Sequence, residues 1–110
     1  MDEQVVGPDL VLATAREGER AVLSVRGELD AHSAPGLEDQ IARLVADGVT
    51  KVVLDLAETG FLDSSGLRAI LTAQRRLGES GGVLTLQTPS EAVTRLLEIT
   101  GLTDHFTLES

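Results

Sequence analysis

Apolar residues recur along this chain with two different periods, and the changes of period divide it into strands and helices. Residues 10–15 predict a first strand, and Gly18 between Glu17 and Glu19 predicts a turn. Residues 20–26 predict a second strand with Ala21, Leu23 and Val25 on one face. A loop is expected at residues 27–32. Ser33-Ala34-Pro35 then has the composition of a helix start, because proline is tolerated in a first turn whose N–H groups lack partners anyway. Leu37, Ile41, Leu44 and Val45 make one apolar stripe, and Gly48 suits the left-handed stop after it.

Residues 51–56 read Lys-Val-Val-Leu-Asp-Leu, a nearly unbroken apolar run that predicts a central strand covered on both faces. Residues 57–62 predict a short loop into Asp63-Ser64-Ser65-Gly66. The helix that follows turns Leu67, Ile70, Leu71 and Leu77 inward and Arg68, Thr72, Arg75 and Arg76 outward. Gln74 falls on the inner stripe and is expected to be partly covered. Gly81-Gly82 returns the chain to a strand at residues 83–86. Thr88-Pro89-Ser90-Glu91 reads as a capping box with proline at the first helical position. Val93, Leu96 and Leu97 point inward, Gly101 with Leu102 ends the helix, and residues 105–108 predict a short edge strand.

Strand–helix–strand units imply parallel neighbours joined by right-handed crossovers, whereas the tight turn makes the first two strands antiparallel. The expected fold is α/β: a small mixed sheet of four to five strands with three to four packed helices. It forms one domain over residues 1–110, with its core at about 10–108.

Composition narrows the partners. With 42% apolar residues and only Phe61 and Phe106 as aromatics, the core must be aliphatic and stacking platforms for bases are few. A formal net charge of −9 repels phosphate backbones and anionic lipid, and Arg75-Arg76 is the only adjacent basic pair. No direct nucleic-acid or membrane partner is therefore expected. The absence of cysteine removes disulfides, thiol nucleophiles and thiolate metal sites. The acidic opening MDEQVVGPDL is unlike a signal peptide and no apolar run is long enough to span a bilayer, so a cytoplasmic location is expected.

Catalytic patterns are missing. There is no Gly-x-Ser-x-Gly elbow and no Gly-x-x-x-x-Gly-Lys-[Ser/Thr] phosphate loop. Ser64 or Ser65 would need His32, His105 or a carboxylate as a base, and Asp55 and Asp63 lie on either side of one loop, where Asp55 is expected to satisfy loop backbone or face out of the sheet. The two histidines are far apart and the carboxylates form no ligand-spaced cluster, so no metal, cofactor or catalytic residue is assigned.

The segment Asp63-Ser64-Ser65-Gly66 remains. Unpaired N–H groups and the helix dipole make such a helix start favourable for negative charge. Asp and Ser are ordinary capping residues, which is one reading of the segment. Two adjacent serines allow a second: one caps while the other stays free as a phosphoacceptor. Gly66, lacking a Cβ, would let another surface approach the backbone.

Phe61-Leu62-Asp63-Ser64-Ser65-Gly66-Leu67 resembles the central motif of the STAS domain family, specifically the anti-sigma factor antagonists. Gly27-Glu28-Leu29-Asp30 followed by Ser33-Ala34-Pro35 resembles that family's other recognisable stretch. The strand Val52-Val53-Leu54-Asp55-Leu56 lies between them, and the likeness runs from about Leu10 to Leu102. The resemblance implies phosphorylation of Ser64 by the anti-sigma factor itself, an ATP-dependent serine kinase that also sequesters a sigma factor. A metal-dependent, PP2C-type serine/threonine phosphatase would restore the antagonist. Asp30 and Asp63 would flank the acceptor, with Ser65, Gly66, Arg68 and Thr72 completing the partner surface. Arg68 departs from the family, many members of which carry a small residue there. A STAS scaffold subunit of a signalling or transporter complex, never phosphorylated, is the alternative.

Overall fold

The computed structural model describes residues 2–109, so Met1 and Ser110 of the expected 1–110 domain lie outside the described residues. The strands are β1 (Asp2–Gly7), β2 (Leu10–Glu17), β3 (Arg20–Leu29), β4 (Lys51–Asp55), β5 (Thr59–Leu62), β6 (Val83–Gln87) and β7 (Thr107–Glu109). The helices are α1 (Ala34–Ala46), α2 (Ser64–Glu79) and α3 (Glu91–Thr100), and Thr103–His105 forms a single 3-10 turn. The expected mixed α/β architecture is present, with more strands than the four or five predicted. Strand order is β1-β2-β3-β4-β6-β7, and β5 pairs with the far end of β3. β2 runs antiparallel to both of its neighbours, β1 and β3, while β4, β5, β6 and β7 join in parallel.

Cross-strand register shows which residues share a face. Leu12 lies opposite Val25, Leu23 beside Leu54 and Leu54 beside Leu86, while Ala21, Val52 and Leu84 form a second row. These side chains join Leu37, Ile41 and Leu44 of α1 and Leu67, Ile70 and Leu77 of α2 in one aliphatic cluster. Each such side chain buried contributes roughly 1.5–3 kcal/mol, so the apolar stripes hold the helix layer on this face.

Several boundaries differ from the sequence reading. The loop predicted at residues 27–32 begins three residues late, because β3 runs to Leu29, and the loop predicted at 57–62 contains β5. These two segments form each other's ladder, with Gly27, Glu28 and Leu29 beside Thr59, Phe61 and Leu62. Neither is apolar or long enough to show a period alone. β1 was not predicted; it is a polar edge strand, anchored where Val6 packs over Gly36 of α1. The capping box at Thr88 is also corrected. The N-cap of α3 is Ser90, whose Oγ accepts from Val93 N at 3.3 Å, and Pro89 lies outside the helix. The predicted stop holds: Gly101 is left-handed (φ 73°) and Leu102 N donates to Leu97 O at 2.9 Å.

β4 is central, and Val52, Val53 and Leu54 are all buried, but the expected cover on both faces is only half right. Val53 points away from the helices and lies between its strand neighbours Val22 and Thr85, themselves half-exposed, with only 6% of its own surface exposed.

Candidate functional site at the start of helix α2

Parallel pairing of β3 with β5 builds the site. Leu29 lies beside Leu62, so Asp30 and Asp63 directly follow the carboxyl ends of the two paired strands. Asp63 N donates to Leu29 O at 3.4 Å, tying the two ends together. The chain then turns into α2 with Asp63 as its N-cap: the extended backbone (φ −106°, ψ −172°) lets Oδ1 accept from Gly66 N at 2.9 Å. Of the capping residues the sequence offered, Asp63 takes the role and neither serine does. Ser64 is exposed, Ser65 is half-buried, and among the described residues neither hydroxyl makes a hydrogen bond. The helix dipole and the unpaired N–H groups of the first turn point at the same place.

Gly66 needs a different account from the one its sequence context suggested. It is buried, and a Cβ there would collide with Leu29 O and come within 2.6 Å of Leu62 Cδ1. The close approach it permits is that of its own chain, the end of β3 against the first turn of α2, not of a partner.

Asp30 is engaged within its own loop. Its Oδ1 accepts from His32 N at 2.9 Å, Ser33 N at 3.2 Å and Ser33 Oγ at 3.3 Å. Desolvation pushes its carboxyl up, but these hydrogen bonds and the nearby His32 outweigh it and hold the group below its ordinary value. Glu28 moves the other way. The Asp9 charge, and a hydrogen bond with it, raise Glu28 above the usual carboxylate value, with burial and Asp30 adding to the effect. Asp9, Glu28, Asp30 and Asp63 thus give the end of β3 and β5 an acidic rim.

Ser33, the predicted helix start, precedes α1 but makes no side-chain cap. It is 1% exposed and its Oγ donates to Glu28 O at 2.9 Å while accepting from Asp30 N at 3.0 Å. Arg68 is exposed one turn beyond Ser64, and Thr72 is half-buried one turn further, so the three lie four residues apart along one side of α2. Among the described residues Arg68 joins no ion pair.

Residues weighed for catalysis are not assembled. His32 Nδ1 lies 3.8 Å from Asp30 Oδ1 and points to solvent, and His105 stacks edge-on against Phe106. Asp55 Oδ1 accepts from Ala57 N, and no described residues group as a metal site. Gln74 is half-buried as expected, its Nε2 donating to His105 O at 2.9 Å. Sequence reasoning missed Phe61, which sits in β5 with 46% of its surface exposed. Beside it Leu62, Ala92, Leu96 and the 74% exposed Ile99, with Arg95 among them, line a shallow, mostly apolar groove. Its one available signal was an aromatic in a segment otherwise read as loop.

The family model described as STAS domain matches residues 12–110, and the chain belongs to this family. It is 38% identical over 74 residues to the anti-sigma-F factor antagonist RsfB of Mycobacterium tuberculosis. That match covers 66% of this chain and 61% of RsfB, less than two thirds of the relative's length. Among solved structures it resembles an anti-sigma factor antagonist from Mycobacterium paratuberculosis, with 32% identity, a TM-score of 0.80 and coverage of 96% and 90% of the two chains. It also resembles the antagonist SpoIIAA of Bacillus in its unphosphorylated form, with 25% identity, a TM-score of 0.79 and coverage of 90% and 87%. No helix among the described residues is long and apolar enough to cross a membrane.

Proposed function

We propose that this chain is a single-domain, cytoplasmic anti-sigma factor antagonist that works by binding, not catalysis, and is switched off by phosphorylation of Ser64. Unphosphorylated, it engages an anti-sigma factor and releases the sigma factor held there. The anti-sigma factor, acting as an ATP-dependent serine kinase, phosphorylates Ser64, and a PP2C-type serine/threonine phosphatase reverses the step. The observation that carries this reading is the division of labour at the start of α2: Asp63 caps the helix, leaving the exposed Ser64 hydroxyl free. The names of the relatives, and the unphosphorylated form in which SpoIIAA was solved, support the same reading.

The switch follows from local electrostatics. A phosphoryl group adds about −1.5 to −2 charges near neutral pH. At the first turn of α2 the dipole stabilises such a charge by roughly 0.3–1 kcal/mol, so the fold tolerates it. At the interface the same group has to be desolvated beside Asp63 and the acidic rim, a cost that the exposed Arg68 one turn further along α2 offsets only in part. A penalty of about 2.7 kcal/mol weakens binding by roughly a hundredfold. Arg68 and Thr72 extend the contact along α2, with Asp30, Asp63 and Ser65 at its acidic end.

The test is intact-mass and site mapping of protein from its native cells with phosphatases inhibited, joined to binding titrations with the co-purified kinase. Ser64→Ala is expected to bind constitutively and Ser64→Glu roughly a hundredfold more weakly. Equal affinity of the two variants, with no phosphate on Ser64 under any growth condition, would sink the proposal.

A further inference from the structure

The sheet face opposite the helices presents side chains in ordered rows. Alternation along the strands places Glu17, Arg20, Lys51 and Val83 in a first row across β2, β3, β4 and β6. A second row holds Ala15, Val22, Val53, Thr85 and Thr107, and a third holds Glu3, Ala13, Ser24, Asp55, Gln87 and Glu109. The middle row carries no charge and no large side chain. Val22 and Thr85 are half-exposed and Val83 is 52% exposed, so no helix among the described residues covers these rows. A shallow depression lined by Arg20, Lys51, Val53, Val83, Thr85 and Glu109 opens directly to solvent. Among the described residues, Arg20, Lys51 and Asp55 take part in no ion pair.

The rows are complementary to themselves. A two-fold axis running across the strands at the level of Val53 inverts the direction along each strand and keeps the position across the sheet. It lays the middle row on its own copy and the first row on the third. Lys51 then faces Asp55 of the second copy, twice by symmetry. Arg20 faces Ser24, Glu17 faces Ala13, Val83 faces Gln87, and no like charges lie directly opposite; Glu3, beside Ala13, is already paired with Arg26. An axis running along the strands would instead stack the first row on itself, bringing Arg20 and Lys51 of the two copies together.

We propose that this open face is a self-association surface on which two copies of the chain pack sheet to sheet, centred on Val53 and registered by reciprocal Lys51–Asp55 pairs. The strands of the two sheets run antiparallel within the ~30° that sheet twist imposes. Five strands spaced ~4.8 Å apart offer roughly 500 Å² on each copy. A total of roughly 1,000 Å² is at the low end for specific association, which makes the dimer reversible and concentration-dependent. Ser64 lies at the start of α2 in the opposite layer, so each copy keeps its acceptor serine free and the dimer does not depend on the antagonist reading.

Sedimentation velocity from about 10 μM to about 1 mM tests it on four chains: unaltered, Lys51→Glu, Asp55→Lys and the double variant. The unaltered chain is expected to shift from monomer to dimer across this range. Each single variant replaces two attractions by two repulsions and is expected to dimerise at least about tenfold more weakly. The double variant, with both pairs reversed, is expected to return to within about threefold of the unaltered chain. Lys51 is exposed, and circular dichroism of each variant separates misfolding from lost association. A chain that stays monomeric to about 1 mM overturns the proposal and leaves this face to a different protein. So does a dimer indifferent to the single changes, or one that the double change does not restore.

Discussion

Two aspartate–serine segments follow the paired ends of β3 and β5, and the structure uses them in opposite ways. Asp30 and Asp63 directly follow the paired carboxyl ends of parallel strands, each ahead of a helix. Asp30 accepts three hydrogen bonds within its loop, and Ser33 is buried with its hydroxyl bonded on both sides. Asp63 spends one oxygen on the cap of α2, and Ser64 beside it is exposed and unbonded. Residue type does not distinguish the two serines. What separates them is whether the backbone around each leaves a donor or acceptor for the hydroxyl to satisfy, and that leaves Ser64 with the free hydroxyl on which the proposed switch rests.

The largest expected effect comes from breaking the junction between the two segments. Gly66→Ala pushes a Cβ into Leu29 O and Leu62, and overpacking of this kind costs about 1–3 kcal/mol, with the upper end expected because the nearest atom is backbone. Urea denaturation is the check; an unchanged midpoint would mean that β3 and α2 separate without cost. Next is the serine pair. Ser33→Ala strands Asp30 N and removes the donor to Glu28 O, a loss of about 1–3 kcal/mol, whereas Ser64→Ala at an exposed site should stay within about 0.5 kcal/mol. Equal destabilisation of the two in thermal melts would erase the contrast.

The smallest effect concerns pH. The Asp30 carboxyl is held below its ordinary value, so the stability it contributes is present above the unfolded pKa of about 3.9 and lost as pH falls through its lower folded value. Glu28 is raised by Asp9, so its contribution has the opposite sign: fully present below its unfolded value and lost as pH rises through the folded one. Asp30→Asn should flatten the acid limb of the stability curve and Glu28→Gln should remove the gain on mild acidification. A curve unchanged by either substitution would count against the loop geometry.

Helices and the antiparallel β2–β3 hairpin were legible in the sequence because their signals are local. Leu37, Ile41 and Leu44 share a face by spacing alone, and Gly101 with Leu102 ends α3 through a bond inside one turn. The candidate acceptor was legible in the same sense, since an Asp-Ser-Ser-Gly run ahead of an apolar period marks a helix start. What was not legible depended on residues distant in the chain. β5 exists because Thr59–Leu62 meets the end of β3, with Thr59 Oγ donating to Val25 O at 2.7 Å, and nothing in Thr-Gly-Phe-Leu announces that partner.

The sequence by itself determined the apolar stripes, the helix stops and the choice of serine-bearing segment, because side-chain period and capping chemistry operate within a turn or two of backbone. Only the tertiary structure decided that Gly66 yields to Leu29 instead of to a partner, that residues 59–62 become a strand, and that one sheet face stays open. The first two are contacts between segments tens of residues apart, and the third is the side on which no described helix lands. Local spacing carries no information about which distant backbone will arrive, or on which side.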